Sequence, residues 1–429
     1  MAPSARSCEK RLQSELELQP QDRFEAIGAP GSPMRILSVT QSYYPFQDRG
    51  GPAFKVRSIS RMLSELGNTV TVLTADLGFV DPAIASAAAV RCAQGWRSDV
   101  DGVEVIYLTT RGRYRNLTLN PGVLGFCRDR LREFDIVHIY GLYDTLGPVV
   151  ARYCRRFGIP YFVEPLGMTR LIDRSFLLKK LWRRLVAGYL ETANKLVVTS
   201  ELEKSELVED GFQTSQLLLR YNGIDRKEFC NLPPRGTFRE KVGIRDDEPL
   251  VVFLSRLIPR KGADLLIETL PQKGCDMIRL VIAGPEGEAG YVAFLRDTAR
   301  RLRVDHRVLF LGPLYGSDKK AALLDADVFA LPSRYENFGN TAAEAIACGT
   351  PVIVSDRCGI APLVDQRAGL VTSYDETALA STIRDLLGNT ALYHRLKAGC
   401  PEIANELSWD RIIDQMQASY REAKEQVCH

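Results

Sequence analysis

Apolar runs of strand length alternate with helix-forming segments along almost the whole chain, and this alternation limits the fold more than any other feature. The runs are continuously apolar rather than alternating with polar residues, as in MRILSVT (34–40) and PLVVFLSRL (249–257). Strands of this kind are covered on both faces, which is typical of parallel sheets with helices on each side. The sequence therefore predicts an α/β protein with two doubly wound parallel sheets.

The predicted strands fall into two sets, separated by a polar segment that spans 226–248. The first set continues with 68–75, 103–109, 135–140, 160–165, 195–200 and 217–222, and the second with 278–284, 307–312, 326–332 and 351–355. We expect four parts: a polar N-terminal extension (1–32), a first Rossmann-like domain (33–225), a second Rossmann-like domain (226–405) and a C-terminal amphipathic helix (406–429) that packs back on the body.

Composition narrows the class of protein. The 429 residues are 45% hydrophobic and 25% charged, as in a soluble globular protein, and the net charge of +3 predicts no field that would bind nucleic acid. The ten cysteines and four histidines show no metal-ligand spacing, so we expect no metal and reduced thiols in a cytoplasmic protein. No apolar run reaches the roughly 18 residues of a membrane span, and the N-terminal segment lacks the apolar core of a signal peptide.

Two glutamates stand out in the segment SRYENFGNTAAEAIACGTPVIVSD (333–356). The apolar run before it predicts a strand, and Asn340 and Thr341 are suited to a helix start. Gly349 is suited to a helix C-terminus, and Pro351 prevents continuation into the strand PVIVS. The pattern is a strand-loop-helix-strand unit, with Glu336 in the loop and Glu344 in the helix.

Small apolar neighbours predict that Glu344 is packed on nearly all sides. A carboxylate in such surroundings costs several kcal/mol unless something replaces its hydration. One interpretation is a ligand with two adjacent hydroxyl groups, such as a ribose. The other is a buried glutamate bonded to the backbone or to an arginine, and spacing alone does not choose between them.

Basic and glycine-rich segments follow other predicted strands. Arg256 and Lys261, which opens the predicted helix KGADLLIETL, could meet at a diphosphate, since arginine and lysine both bind phosphate oxygens. The alternative is a solvated basic loop. Gly50 and Gly51 could let backbone N–H groups approach a phosphate before a helix, although two glycines of this kind more often form a plain turn.

Three further features each have two interpretations. His138 lies in the strand DIVHIY (135–140), where a packed histidine is more common than a catalytic one. Asp325-Ala326-Asp327 superficially matches a metal-binding Asp-x-Asp, but Asp325 is expected at the surface, where no metal is held. A basic amphipathic stretch at 169–190 could contact an anionic membrane surface, or could be a core helix with a solvated cationic face.

The motifs SRLIPRKGADLLIETL, VIAGPEG, RYNGID and ADVFALPSRYENFGNTAAEAIACGTPVIVSD resemble those of the retaining glycosyltransferases of family 4 with the GT-B fold. The resemblance covers about residues 34 to 425. It implies two Rossmann-like domains that face a central cleft. It also implies a hexosyltransferase that moves a sugar from a nucleotide diphosphate, such as a UDP- or GDP-sugar, to an acceptor hydroxyl, with retention of configuration and without a metal.

Carried over position by position, the resemblance implies roles for individual residues. Arg256 and Lys261 would bind the donor diphosphate, and Glu344 would bind the ribose hydroxyls. Glu336 would contact the transferred sugar. The donor-binding residues would also include Gly51, Phe338, Gly339 and Asn340, and the catalytic ones His138, Arg256, Lys261 and Glu336.

The family further implies a polysaccharide or lipid-linked glycan as acceptor. With the basic stretch at 169–190, we expect a cytoplasmic enzyme that is peripheral at the inner face of the membrane. The chain departs from the family at Leu166, where many members have histidine or arginine, and at Cys358, where many have glycine. Two alternatives remain open at this point. One is a sugar-nucleotide epimerase of the same fold, and the other is a non-catalytic nucleotide-sugar-binding subunit.

Overall fold

Two parallel sheets organise the fold, as the apolar runs predict. The computed structural model describes residues 32–46, 51–77, 89–114, 117–168 and 188–428. The chain divides into Met1–Met34, of which residues 32–34 have no regular secondary structure, and a unit spanning Arg35–His429 that holds both sheets.

The first sheet has nine strands in the order β11-β10-β9-β8-β1-β2-β5-β4-β3. Its strands are β1 (Arg35–Thr40), β2 (Thr69–Ala75), β3 (Val90–Cys92), β4 (Gly95–Val100), β5 (Val103–Leu108), β8 (Ile136–Tyr140), β9 (Tyr161–Glu164), β10 (Lys195–Val198) and β11 (Leu217–Leu219). A separate antiparallel pair is formed by β6 (Gly112–Tyr114) and β7 (Leu117–Leu119). The helices around this sheet are α1 (Gly51–Glu65), α2 (Gly122–Arg130), α3 (Leu146–Phe157) and α4 (Glu201–Glu209).

The second sheet has six strands in the order β14-β13-β12-β15-β16-β17. They are β12 (Leu250–Leu254), β13 (Arg279–Ala283), β14 (Val308–Leu311), β15 (Val328–Leu331), β16 (Val352–Ser355) and β17 (Gly369–Thr372). The helices of this part of the chain are α5 (Arg226–Phe229), α6 (Thr237–Val242), α7 (Ala263–Thr269), α8 (Tyr291–Arg301), α9 (Gly316–Asp325), α10 (Asn340–Ala347), α11 (Ala361–Val364), α12 (Glu376–Gly388) and α13 (Thr390–Glu406).

Each sheet has a point at which the strand order reverses. In the first sheet this point lies between β1 and β8, and in the second between β12 and β15. Ligands of open α/β sheets bind at the carboxyl ends of the strands beside such a point. The expected sites therefore lie after β1 and β8 in one sheet, and after β12 and β15 in the other.

The first sheet is not purely parallel, which corrects the expectation from the sequence. β4 pairs antiparallel with β5, and β3 pairs antiparallel with β4. β3, β4 and β17 were not predicted, because they are short and lack a long apolar run. β4, next to the edge strand β3, reads GWRSDV and mixes buried with accessible residues, as expected where a sheet is solvated on one face.

The C-terminal helix α14 (Trp409–Cys428) packs against α1, beside the first sheet. Met416 and Tyr420 of this helix are fully buried. Asn68 donates a hydrogen bond to Gln417 (Nδ2–Oε1 3.1 Å), and Lys424 pairs with Asp135 at 3.0 Å. The predicted helix therefore exists and lies on the body of the protein.

The Asp-x-Asp segment has a structural role, and Asp325 is buried rather than at the surface, which corrects the expectation. Its carboxylate accepts backbone hydrogen bonds from Gly236 and Phe238, both at 2.7 Å, and so anchors the start of α6. Asp327 accepts from Arg239 (Nη2–Oδ2 2.8 Å) and from the backbone of Leu250 at 2.7 Å. Both carboxylates are therefore satisfied by the protein itself.

The predicted basic stretch at 169–190 lies mostly outside the described residues, which resume at residue 188, and its predicted membrane contact stays a prediction. Within the described part of the chain, no helix is both long enough and apolar enough to cross a membrane.

Candidate active site

The second sheet brings Lys261 and Glu336 together at its switch point. Lys261 follows β12, Glu336 follows β15, and these two strands are neighbours. The ammonium group of Lys261 forms an ion pair with the Glu336 carboxylate. The Lys261 side chain is only 8% exposed and that of Glu336 18%. This buried pair of opposite charges is the centre of the candidate site.

The turn that carries Lys261 differs from the predicted helix start. Lys261 ends a short 3-10 turn, Pro259–Lys261, and α7 begins only at Ala263. Gly262 between them has a φ of +77°, and a Cβ atom there would lie 2.2 Å from the carbonyl oxygen of Pro332. Glycine is therefore required at this position, both for its conformation and for the close approach of the two segments.

Residues 334–339 form the loop between β15 and α10, and we call this segment the donor loop. Its backbone is held by the segment after β16. Glu336 donates to the carbonyl of Arg357 (3.0 Å) and accepts from Gly359 (2.9 Å). The Cys358 thiol donates to the Phe338 carbonyl at 3.3 Å. Burial raises the pKa of this thiol, so Cys358 is a packing residue that supports the donor loop.

The start of α10 presents backbone donors beside this ion pair. Gly339 has a φ of +107° and precedes the first helical residue, Asn340. None of the backbone N–H groups of Phe338, Gly339 and Asn340 donates to an acceptor within the described residues. Three free N–H groups at a helix N-terminus attract anions, because the partial positive charge of the helix lies there.

Glu344 is less buried than its neighbours in sequence suggest, and its partner is a lysine. The carboxylate lies 2.5 Å from the ammonium group of Lys319 in α9, and the Glu344 side chain is 26% exposed. Burial raises the pKa of Glu344, and the Lys319 charge opposes this rise. The side chain is therefore more accessible than the expectation of tight packing on nearly all sides, although its Oε2 atom is buried against Lys319.

Arg256 does not join Lys261 in this structure. It follows β12, as predicted, but its side chain is exposed and makes no hydrogen bond or ion pair within the described residues. Its assignment to a donor diphosphate stays a prediction. Gly51 is the first residue of α1, after β1 at the switch point of the first sheet. Its assignment also stays a prediction, and Gly50 lies outside the described residues.

His138 lies inside the first sheet and is fully buried. Its Nδ1 shares a hydrogen bond with the Tyr420 hydroxyl at 2.5 Å, and its ring stacks on Tyr140 with centroids 4.1 Å apart. Burial lowers the pKa of His138 to about 3, so the ring is neutral at physiological pH. This placement favours the packed histidine over the catalytic one.

A network of buried charges surrounds His138. The Glu164 carboxylate, fully buried, pairs with Lys55 and with Arg220, whose Nη2 lies 2.6 Å from Oε2. Despite burial, the two nearby cations hold the pKa of Glu164 below its usual value. The network joins α1, the last residue of β9, the residue after β11 and α14, and it ties these elements together near the carboxyl ends of the strands.

Sequence reasoning missed several residues that support the site. Asn222 donates to the side chain of Asn340 (Nδ2–Oδ1 2.8 Å), and Lys319 pairs with Glu344. Asn222 belongs to the quoted motif RYNGID, so the motif could have indicated that Asn222 lies at the site. Lys319 lies in a polar helix segment, GSDKKAALLD, where nothing in the sequence distinguishes it from a solvated lysine.

Comparisons with known proteins agree with this geometry. Residues 234–400 match the family described as glycosyl transferases group 1, and residues 50–223 match a glycosyl transferase 4-like domain. The chain is 30% identical over 341 residues to an uncharacterized glycosyltransferase of Methanocaldococcus jannaschii, a match that covers 75% of this chain and 80% of that protein. The protein belongs to the group 1 family of glycosyl transferases.

Other relatives extend over most of the chain. It is 27% identical over 406 residues to a D-inositol 3-phosphate glycosyltransferase of Xylanimonas cellulosilytica, covering 88% of this chain and 92% of that one. Among solved structures, Anabaena HepE in complex with UDP aligns with a TM-score of 0.74 at 20% identity, over 91% of this chain and all of HepE. Sucrose-phosphate synthase of Thermosynechococcus elongatus aligns with a TM-score of 0.71 at 21% identity, over 91% and 98% of the two chains. These likenesses confirm the predicted GT-B fold.

Proposed function

We propose that the protein transfers a hexose from a UDP-sugar to an acceptor hydroxyl, with retention of configuration and without a metal. The observation that carries this proposal is the buried Lys261–Glu336 ion pair at the switch point, beside the free N–H groups of α10. As the bond between the sugar and the diphosphate breaks, negative charge grows on the departing phosphate. A fixed ammonium group and a helix N-terminus stabilise that charge.

Each part of the donor contacts different residues of this site. The diphosphate lies between Lys261 and the start of α10, with the exposed Arg256 free to fold over it. The ribose hydroxyls bind Glu344, which exchanges part of its contact with Lys319 for the two hydroxyl groups. The sugar then contacts Glu336, whose carboxylate accepts hydrogen bonds from sugar hydroxyls once Lys261 turns to the phosphate.

A UDP-sugar is favoured because the solved relative HepE holds UDP and UDP-glucose in the same fold. Phosphate charge is met by Lys261, Arg256 and backbone N–H groups, so a divalent cation is not needed in this proposal. Attack on the same face as the leaving group, with the departing phosphate oxygen taking the proton of the acceptor hydroxyl, gives retention. The acceptor is a polysaccharide or a lipid-linked glycan, reached at the inner face of the membrane.

The family match does not favour the two alternatives. An epimerase of this fold would interconvert UDP-hexoses without an acceptor, and a non-catalytic subunit would bind the donor without turnover. Incubation with UDP-glucose alone tests the first alternative, and incubation with UDP-glucose and a glycan acceptor tests the second. Epimer formation supports the first, and binding without release of UDP in the presence of any glycan acceptor supports the second.

A thermal-shift screen against UDP-, GDP- and ADP-glucose tests the donor class. A ligand that binds only the folded state stabilises it by RT ln(1 + [L]/Kd), which is about 2.7 kcal/mol at 100 times Kd. We expect UDP and UDP-glucose to raise the melting temperature, and to do so equally in EDTA and in Mn²⁺. A shift that requires the cation would overturn the metal-independent mechanism.

A further inference from the structure

The donor loop does not rest on its own sheet alone. Its side chains Tyr335 and Asn337 reach residues at the carboxyl ends of β9 and β10 in the first sheet. Tyr335 donates a hydrogen bond to Glu206 of α4 (2.9 Å). Asn337 donates to the hydroxyl of Thr199 just before α4 (Nδ2–Oγ1 2.7 Å). The loop that carries Glu336 is therefore held by α4 and by Thr199, which lies between β10 and α4.

Glu203 is the centre of this contact. Its side chain is fully buried, and its carboxylate accepts hydrogen bonds from the backbone N–H of Gly167 (2.6 Å) and of Thr199 (2.8 Å). It also accepts from Asn337 (Nδ2–Oε2 3.3 Å). A buried carboxylate persists only where such donors replace its hydration. Glu203 thus binds the turn at 165–168, the start of α4 and the donor loop with one side chain.

Two glycines make room for this contact. A Cβ atom on Gly167 would lie 2.7 Å from the Cγ atom of Asn337. A Cβ atom on Gly359 would lie 2.0 Å from the backbone oxygen of Asn337 and 2.6 Å from the Cβ of Ser200. Real Cβ atoms do not approach other atoms so closely, so any side chain at either position would push the donor loop away from the first sheet.

We propose that Asn337 is a positioning residue for sugar transfer, which fixes Glu336 relative to the first sheet through Glu203. The inference rests on the proposed function, because it assumes that Glu336 contacts the transferred sugar. Asn337 is the next residue after Glu336, so a shift of its side chain moves the Glu336 backbone directly. The Glu203–Asn337 contact therefore sets the position of the donor sugar relative to the first sheet rather than the affinity for the nucleotide.

The turn at 165–168 shares this contact. Leu166 in this turn has a φ of +59°, an unfavourable conformation for a branched side chain, and the Gly167 N–H bond to Glu203 helps to hold it. Asn337 lies directly against Gly167. Changes at Asn337 therefore reach both the donor loop and the turn at 165–168.

Two variants test the role, with a matched control. Asn337→Ala removes the amide, and Asn337→Asp places a second carboxylate against Glu203, so the loop and the turn repel each other. Asn389→Asp makes the same chemical change at the start of α13, where an aspartate accepts the Leu392 N–H as asparagine does. UDP affinity is measured by calorimetry. Turnover is measured as hydrolysis of UDP-glucose, in which water accepts the glucosyl group and UDP is released.

We expect UDP affinity to stay within about threefold of wild type in all variants. Turnover is expected to fall about tenfold in Asn337→Ala and about a hundredfold in Asn337→Asp, as for a misplacement of about 1 Å. Amide hydrogen exchange at Gly167 reports on the first-sheet side of this contact. The Gly167 amide is expected to exchange faster in Asn337→Asp and to be unchanged in Asn389→Asp.

The inference is overturned if turnover in both Asn337 variants stays within about twofold of wild type, or if UDP affinity falls in parallel with turnover. Unchanged exchange at Gly167 in Asn337→Asp would also overturn it. Failure of the proposed function looks different, because the wild-type protein itself would then neither bind UDP nor release it from UDP-glucose. That result would remove both proposals, whereas an active wild type with active variants removes this one alone.

Discussion

Glu344 and Lys319 form an ion pair in which a carboxylate oxygen lies 2.5 Å from the ammonium nitrogen, at the edge of the candidate donor site. The pair joins α10 to α9 and leaves part of the carboxylate accessible. In the proposed function the ribose hydroxyls take up this accessible side. The carboxylate therefore contributes to nucleotide binding rather than to the choice of sugar.

Glu344→Gln is expected to weaken UDP binding about 10- to 100-fold, since a hydrogen bond to a charged group contributes roughly 1.5–3 kcal/mol. The relative turnover of different UDP-hexoses is expected to stay the same. Calorimetry with UDP gives the affinity. Glu402→Gln, which removes the charge of another helical glutamate that is paired with Arg367 at 2.8 Å, serves as the control. Equal UDP affinity in Glu344→Gln and wild type would remove the ribose assignment.

Lys261→Ala is expected to lower turnover about 10²- to 10³-fold, the usual effect of removing one group that stabilises charge in the transition state. The fold should survive, because the freed Glu336 carboxylate has access to water. Steady-state UDP release measures the loss, and circular dichroism checks the fold. Lys241→Ala, at an exposed lysine that pairs with Asp318, should keep wild-type turnover. Near-normal turnover in Lys261→Ala would contradict the role of this ammonium group.

His138 makes the stability of the protein sensitive to acid. Its pKa is lowered to about 3 in the folded state by burial, against 6.5 for an accessible histidine. Between these values the unfolded chain binds a proton that the folded protein does not, so stability falls as the pH falls through this window. The contribution amounts to about 2 kcal/mol between pH 7 and pH 5.

His138→Gln removes this contribution. Urea unfolding at several pH values is expected to show that wild type loses stability relative to the variant on acidification. Asp144, whose pKa is raised to about 6 by burial, titrates in both proteins and cancels in the difference. His306→Gln, at an exposed position, should follow the wild-type profile. A difference between His138→Gln and wild type that does not vary with pH would refute the buried neutral ring.

Asp325→Ala is expected to destabilise the fold by about 3 kcal/mol, because the N–H groups at the start of α6 lose their acceptor. UDP affinity is expected to remain unchanged, since Asp325 anchors α6 and binds no metal in this account. Asp318→Ala, an exposed aspartate of the same helix, should cost less than about 1 kcal/mol. Loss of cation-dependent turnover in a stably folded Asp325→Ala protein would revive the metal-site interpretation.

Much of the second sheet could be predicted from the sequence. The unit β15-α10-β16 follows from two apolar runs, a helix of small residues and Gly349, whose φ of +78° ends that helix. Glu336 and Glu344 were placed in the right elements for the same reason. The edge strands β3 and β4 escaped prediction because short strands with a solvated face carry a weak pattern. β17 escaped because GLVT is short and ends in a polar residue.

The partners of the site residues could not be predicted, because they come from distant parts of the chain. Glu344 was expected to be sealed by its helical neighbours, but local spacing says nothing of Lys319 on the next helix. The helix predicted to start at Lys261 starts later, at Ala263. Gly262 is required by its contact with Pro332, but in the sequence it cannot be distinguished from a glycine inside a helix. Glu203 and Asn337 are 134 residues apart, and neither belongs to a motif that points to the other.

The most direct test of the donor site is a crystal structure of the protein with a UDP-sugar. We predict that the diphosphate lies beside the first turn of α10, with the Lys261 ammonium within hydrogen-bonding distance of a phosphate oxygen and Glu344 on the ribose hydroxyls. Lys261 would then have left its present pairing with Glu336. A diphosphate bound elsewhere, or a Lys261 that stays on Glu336 without touching phosphate, would contradict the account.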